Sequence, residues 1–362
     1  MTDRTTPITP AAEHFAAANS WPQAGSRMTA ARPDPGLAIQ TADLTKQYRN
    51  PWTLKVTTGV EALNLGVARG EVVGYLGPNG AGKTTTLKLL LGLLKPTRGR
   101  AWLMGVPIED RASRARLGFL PEQPYFYDYL NGREYLELAA GLSGLSGRDA
   151  SRAALYWLGR VGLGERPRLL LRKYSKGMLQ RLGLAAALVH GPELLILDEP
   201  MSGLDPFGRR DVRDLILEQR ERGTTVLFSS HILPDVETLC DRVAIVMRGR
   251  LVRVATVGEL VRDGRSSVEI RCTGSPVLEL PAAWHGRLER IERPHETVFQ
   301  LHDEEALQDV LALLMRAGAR VRAVTPQRGS LEQLFMAAAG AARAALDASQ
   351  APDAPAAAEV PS

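Results

Sequence analysis

Gly77-Pro78-Asn79-Gly80-Ala81-Gly82-Lys83-Thr84-Thr85 is the stretch whose residue types and spacing point most directly to chemistry. Its glycines let the backbone wrap closely around a phosphate chain and present amide N–H groups at the positive end of a following helix. Lys83 is placed to reach the terminal phosphates of a nucleotide, and the Thr84 hydroxyl is an oxygen ligand of the kind Mg²⁺ takes. A second segment, Leu194-Leu195-Ile196-Leu197, ends in Asp198-Glu199. Four apolar residues predict a buried strand that delivers two carboxylates at its tip. Beside a bound nucleotide, Asp198 would hold Mg²⁺ through its water shell and Glu199 would orient and polarise an attacking water. Together the two segments predict phosphoryl hydrolysis.

Both halves need a scaffold, and the pattern around them supplies one. Glu71–Leu76 (EVVGYL) reads as a short buried strand entering the glycine-rich loop, with a helical run over Thr84–Leu94 after it. Leu37–Leu44, Leu194–Leu197, Thr225–Ser229 and Arg242–Met247 read as further strands, and Asp211–Arg222 as a helix. From about Pro124 to Leu188 apolar residues recur at three- and four-residue spacing, a helical pattern. The class is α/β: a largely parallel, helix-covered sheet with a helical insertion. Past about Ala255 the texture changes. Ser267–Cys272, Thr297–His302 and Arg320–Val324 look like strands, and Asp303–Ala317 and Ser330–Ala345 like helices, the last opened by a capping pair, Ser330 and Gln333. The expected organisation is a loose tail over residues 1–35, a main domain over 36–256 with its helical part at about 124–188, a small α+β domain over 257–345, and a second tail over 346–362. Met28 is an alternative start to Met1.

Composition removes several function classes. A net charge of +5 is mild, and no run of Lys and Arg is dense enough to call for nucleic acid. Two cysteines, Cys240 and Cys272, make neither a disulfide framework nor a zinc pattern, which fits a reducing compartment. The longest apolar stretch, Leu87–Leu94, contains Lys88 and is too short to cross a bilayer, and the N-terminus has no hydrophobic signal core. A membrane role is therefore expected to come through a partner.

Further along, Tyr174-Ser175-Lys176-Gly177-Met178-Leu179-Gln180-Arg181, then Ser202-Gly203-Leu204-Asp205, then Ser229-Ser230-His231 appear in an order that resembles the ABC ATPase family. The resemblance spans roughly residues 37–255 and implies a P-loop NTPase cassette with a helical insertion subdomain. It also implies that MgATP is bound between two cassettes placed head to tail. Ser175 and Gly177 would contact the γ-phosphate held by the opposite subunit, and Asp205 would communicate across the pair. His231 would sense the γ-phosphate, and Tyr48 would stack on adenine, with Trp52 as its rival. The segment from residue 174 departs from the family pattern at Tyr174, Lys176 and Met178, where Leu, Gly and Gln are usual; Ser175 and Gly177 survive. In Leu120-Pro121-Glu122-Gln123-Pro124 the family's glutamine position holds Glu122, with Gln123 one residue on, and either is a candidate for the Mg²⁺-bound water.

One set of motifs in one chain implies a second cassette, expected to be a copy of the same chain. The family resemblance also implies a separate membrane permease, export as the direction, and a cytoplasmic location on the inner face of the membrane. Four of the eight tyrosines lie between Tyr125 and Tyr135, where family members dock a permease helix, so Tyr125 or Phe126 is expected at that surface. A soluble single-cassette ATPase acting outside transport is the alternative. Fused cassettes, a long coiled coil and zinc modules mark the non-transport relatives, and none is found here.

Overall fold

The computed structural model describes residues 32–165, 168–259, 267–273, 284, 287–293, 296–303 and 306–327. The tail readings for residues 1–31 and 346–362, and the helix read over Ser330–Ala345, fall outside the described residues. Contacts divide the chain into two units, Met1–Val254 and Ala255–Ser362.

In the first unit, β1 (Leu37–Arg49) pairs antiparallel with β2 (Val56–Leu63), β3 (Gly66–Ala68) and β5 (Arg98–Leu103). The hairpin strand β6 (Val106–Pro107) closes that sheet. The second sheet is six-stranded, in the order β11 (Arg250–Thr256), β10 (Arg242–Met247), β4 (Val72–Leu76), β9 (Thr225–Ser230), β8 (Leu194–Asp198) and β7 (Leu117–Leu120). Its pairings from β10 to β7 are all parallel. Strands β4, β8 and β9 are buried along their whole length. Their near-continuous apolar runs are what a strand covered on both faces requires. The core that joins the two sheets contains Ile39, Leu44, Val73, Tyr75, Ile196 and Leu227, all almost fully buried.

Among the described residues the unit also has six α-helices, α1 (Lys83–Leu90), α2 (Gly132–Leu142), α3 (Gly147–Arg160), α4 (Lys176–Leu188), α5 (Pro206–Glu221) and α6 (Leu233–Leu239), and two short 3-10 helices, Arg111–Arg114 and Leu171–Lys173. Helix α1 is shorter than its apolar run. Gly92 takes a φ of +67°, and the amides of Leu93 and Leu94 both turn back to the Lys88 carbonyl, so the chain leaves the helix after Leu91. The helical reading from Pro124 to Leu188 is also corrected: residues 124–131 are not helix. Helix α2 begins only where Asn131 caps it, its side chain accepting from the Arg133 and Glu134 amides while Glu134 reaches back to the Asn131 amide. The antiparallel sheet was not legible in the sequence beyond β1. Strand β2 is exposed or half-exposed for most of its length, and bulges interrupt its register with β1, so neither hydrophobicity nor strict alternation marks it.

The second unit holds an antiparallel sheet in the order β13 (Leu288–Arg293), β14 (Glu296–Leu301), β12 (Ser267–Thr273) and β15 (Arg320–Gln327). Helix α7 (Leu307–Arg316) buries Val310 and Leu314 in a core with Ile270 and Phe299. Strand β13 escaped sequence reading because charged residues fill four of its six positions. Among the described residues, no helix is long and apolar enough to cross a membrane.

Candidate active site

The central strands bring the chemically equipped segments into one row. Leu76 at the end of β4 pairs with Ser230 at the end of β9; Asp198 of β8 pairs with Ser229; Leu197 pairs with Leu120 of β7. The loops that follow, carrying Gly77–Gly82, His231, Glu199 and Glu122-Gln123, therefore emerge along one carboxyl edge of the sheet. That edge is where parallel α/β sheets form their ligand crevices.

Gly80 and Gly82 lie at φ +80° and +98°, so the glycine-rich loop uses the conformational freedom that only glycine has at no steric cost. Gly82 also has no room for a side chain: a Cβ there would stand 2.3 Å from the Gly59 carbonyl oxygen. The Gly249 amide donates to the Ala81 carbonyl at 2.8 Å, and the Glu61 amide to the Gly249 carbonyl at 2.7 Å. Strand β2 and the β10–β11 turn thus fasten the loop from one side. On the other, the Thr86 hydroxyl of α1 meets the Tyr75 hydroxyl at 3.0 Å, and burial pushes the Tyr75 phenol well up.

Lys83 is 6% exposed. Its Nζ donates to the Gly77 carbonyl at 2.6 Å and lies 3.4 Å from Glu199 Oε1. The other carboxylate oxygen, Oε2, is 2.8 Å from His231 Nδ1. Three of the residues singled out for catalysis thus meet around one buried carboxylate. Glu199 itself takes a φ of +50°, costly for a side chain of this size, of order 1–3 kcal/mol. Such strain persists where surroundings over-determine it, and here they do. The Glu199 amide donates to Ser229 Oγ at 2.9 Å, and that hydroxyl donates to Asp198 Oδ1 at 2.6 Å. Ser229 therefore holds both acids from the neighbouring strand.

The remaining assignments fall at varied distances from this centre. Tyr48 lies against the phosphate loop: its hydroxyl is 3.5 Å from Thr85 Oγ1, and a Cβ on Gly59 would touch its ring at 2.8 Å. Tyr48 is 40% exposed, whereas Trp52 is 92% exposed in the β1–β2 connection. Glu122 and Gln123 are both exposed beyond the end of β7. Ser175 caps α4, its Oγ accepting from the Met178 amide at 3.3 Å, and Gly177 lies in the first turn of that helix. Asp205 caps α5 in the same way, accepting from the Gly208 amide at 2.8 Å.

Thr84, Asp198, Glu122 and Gln123 offer only hard oxygen donors, which suits Mg²⁺. Among the described residues no cluster of three or more His, Cys, Asp or Glu side chains forms a metal cage. A Mg²⁺ ion held here would complete its shell with water and phosphate oxygens, its usual habit. Sequence reading passed over Ser229, Gly59 and Gln180. A glycine inside a strand is a sign of close backbone approach, but Gly59 lies in β2, which the sequence does not mark as a strand. The hydroxyl of Ser229 and the amide of Gln180 carry no such local sign.

The family model described as ABC transporter matches residues 60–202. An uncharacterized ABC transporter ATP-binding protein of Nostoc is 40% identical over 311 residues, covering 82% of this chain and 88% of that one. The bacitracin transport ATP-binding protein BcrA of Bacillus licheniformis is 37% identical over 301 residues, covering 82% and 89%. Among solved structures, a dimeric ATP-binding cassette in a post-hydrolysis state with ADP and Pi superposes with a TM-score of 0.56 at 25% identity, covering 60% of this chain and 98% of that one. A carboxylate poised beside a phosphate-binding lysine, in a chain of which 82% aligns with such relatives, has one home: the protein belongs to the ATP-binding, ATP-hydrolysing subunits of ABC transporters.

Proposed function

We propose that this chain works as a pair of identical cassettes that hydrolyse MgATP at two shared sites and drive an exporter's separate membrane permease. The observation that carries the proposal is the Lys83–Glu199–His231 cluster at the carboxyl edge of the sheet, with Glu199 buried and bonded on both carboxylate oxygens. Glu199 takes the role of water-orienting base, Lys83 binds the β- and γ-phosphates, and His231 holds the carboxylate and meets the γ-phosphate. Tyr48 stacks on adenine, and the Gly77–Thr85 amides cradle the phosphates. Mg²⁺ adds charge neutralisation at the phosphates, held by Thr84 and, through water, by Asp198, with Glu122 or Gln123 facing its outer shell. Ser175 and Gly177 supply amides and a helix dipole to the partner's nucleotide, and Asp205 lies at the contact between subunits.

Membrane attachment comes through the permease, at a cleft of about 220 Å³ lined by Leu117, Leu120, Pro124, Tyr125, Tyr135 and Ala187. Tyr125 stands 98% exposed at this cleft, and Phe126 packs edge-on against Tyr135 with ring centroids 4.9 Å apart. An exposed aromatic beside a cleft of mixed lining, with Ser143 and His190 among its apolar residues, suits a short amphipathic helix from a partner. Similarity to a subunit named for bacitracin transport supports transport as the work this hydrolysis drives.

The test is Glu199→Gln in the full chain. With MgATP the variant is expected to accumulate as a dimer on size-exclusion chromatography while turnover falls by roughly 10²–10⁴-fold, the usual contribution of a positioned base. Brisk hydrolysis by this variant would remove Glu199 from its role. A variant that stays monomeric at saturating MgATP would remove the shared-site arrangement.

A further inference from the structure

Gln180 lies in the middle of α4, one and a half turns past Ser175, and is 3% exposed. Its Nε2 donates to the Pro200 carbonyl at 2.9 Å. Pro200 follows Glu199, the residue held at φ +50°. The backbone around Glu199 is thus gripped from two sides: Ser229 of β9 takes the amide before the side chain, and Gln180 of α4 takes the carbonyl one residue after it. Two further contacts run alongside. A Cβ on Gly177 would meet Leu204 Cδ2 at 3.6 Å, and a Cβ on Gly203 would run into the Lys176 side chain. The start of α4 and the loop 200–205 therefore pack against each other.

We propose, on the footing of the paired-cassette function above, that Gln180 is a positioning residue joining the two half-sites of one subunit. The end of α4 that serves the partner's nucleotide is tied through the Gln180–Pro200 hydrogen bond to the carboxylate that serves the subunit's own. A shift of α4 when Ser175 and Gly177 engage a γ-phosphate moves the Pro200 peptide and, through it, Glu199. Packed elements transmit such displacements because cores deform little. A buried amide at this position serves no purpose in an apolar helix face unless its partner carbonyl must be held, since each buried polar group requires a bond.

Two isosteric variants test the strut in the full-length chain. Gln180→Met removes the donor; Gln180→Glu removes it only while the carboxyl is ionised. For Gln180→Met, kcat for MgATP hydrolysis is expected to fall about tenfold, the consequence of leaving one buried carbonyl unpaired. KM should stay within about twofold, since nucleotide contacts are untouched, and any cooperativity in MgATP should flatten toward a Hill coefficient of about 1. In Gln180→Glu, burial raises the carboxyl's affinity for a proton, and the protonated form donates to the Pro200 carbonyl again. Its kcat relative to wild type should therefore rise about threefold or more between pH 8 and pH 6, while the Met variant shows no such recovery. A role in packing alone predicts no pH rescue. Even if the Met variant fails to fold, the pH profile of the Glu variant decides the matter. Wild-type kcat and cooperativity in either folded variant at pH 8, or a flat pH ratio in Gln180→Glu, would overturn the strut while leaving the cassette function intact. Absence of hydrolysis by the wild-type dimer would overturn both.

Discussion

Ser229→Ala removes a single oxygen atom, and the structure assigns that atom two bonds. Oγ accepts the Glu199 amide at 2.9 Å and donates to Asp198 Oδ1 at 2.6 Å, in a residue with no exposed surface. Deleting it leaves a buried peptide N–H without a partner, at about 1–3 kcal/mol, and strips a carboxylate of a hydrogen bond worth about 1.5–3 kcal/mol. The two losses share one site and do not add fully, so about 3 kcal/mol is the expected destabilisation. In a unit of this size that lowers Tm by roughly 6–12 °C. The chemical consequence is separate. Glu199 holds its left-handed backbone against a cost of order 1–3 kcal/mol, and without Ser229 that strain can relax and carry the carboxylate out of line with Lys83 and His231. Turnover should fall at least tenfold, because a displaced base costs about that much in misalignment alone. Circular dichroism melting and a phosphate-release assay measure the two effects, and Ser229→Thr, which keeps the hydroxyl, serves as the control. If Ser229→Ala melts within about 2 °C of wild type and turns over at the wild-type rate, the clamp on Glu199 has been misread.

Other substitutions probe the binding half. Lys83→Ala should weaken MgATP affinity by about 30-fold or more, the cost of losing one partner of a buried charge pair; equilibrium titration with a fluorescent nucleotide measures it, and unchanged tight binding would count against the phosphate loop. Tyr48→Ala should weaken ATP binding by about 1–3 kcal/mol, in the range of base–aromatic stacking, while Trp52→Ala leaves it unchanged; the reverse pattern would transfer adenine stacking to Trp52. His190, at the cleft beside β7, has its pKa lowered by burial, which a hydrogen bond to the Leu117 backbone only partly offsets. The unfolded chain then binds the proton more readily than the folded one, so stability falls as pH drops below the ordinary imidazole value of 6.5. His190→Gln should flatten that part of the stability-against-pH curve measured by urea unfolding, and an unchanged slope would assign it to another group.

Much of the chemistry was legible before any coordinate. Gly77–Thr85 and Leu194–Glu199 carry their meaning locally: a glycine-rich loop between a strand and a helix, and an apolar run ending in two acids, each fold by rules that operate over a few residues. For the same reason the central strands β4, β8 and β9 could be read, since a strand buried on both faces is apolar throughout; β7, half-buried at alternate positions, was not. The antiparallel strands β2, β5 and β13 were not legible, because a half-exposed strand interrupted by bulges or charged residues has no periodicity to show. The run from Pro124 to Leu188 was read as helix where the chain makes turns, since apolar spacing does not reveal where a cap such as Asn131 starts the first turn. What only the tertiary structure decided is which groups hold which. Ser229 is 30 residues from Glu199 in the chain and Gln180 20 from Pro200, yet parallel pairing sets Ser229 within hydrogen-bond reach of the Glu199 amide, and helix packing sets Gln180 within reach of the Pro200 carbonyl. Hydrogen bonds require contact in space, and a sequence records neighbours along the chain; the residues that react can be named from it, but those that hold them in place appear only once the chain has folded.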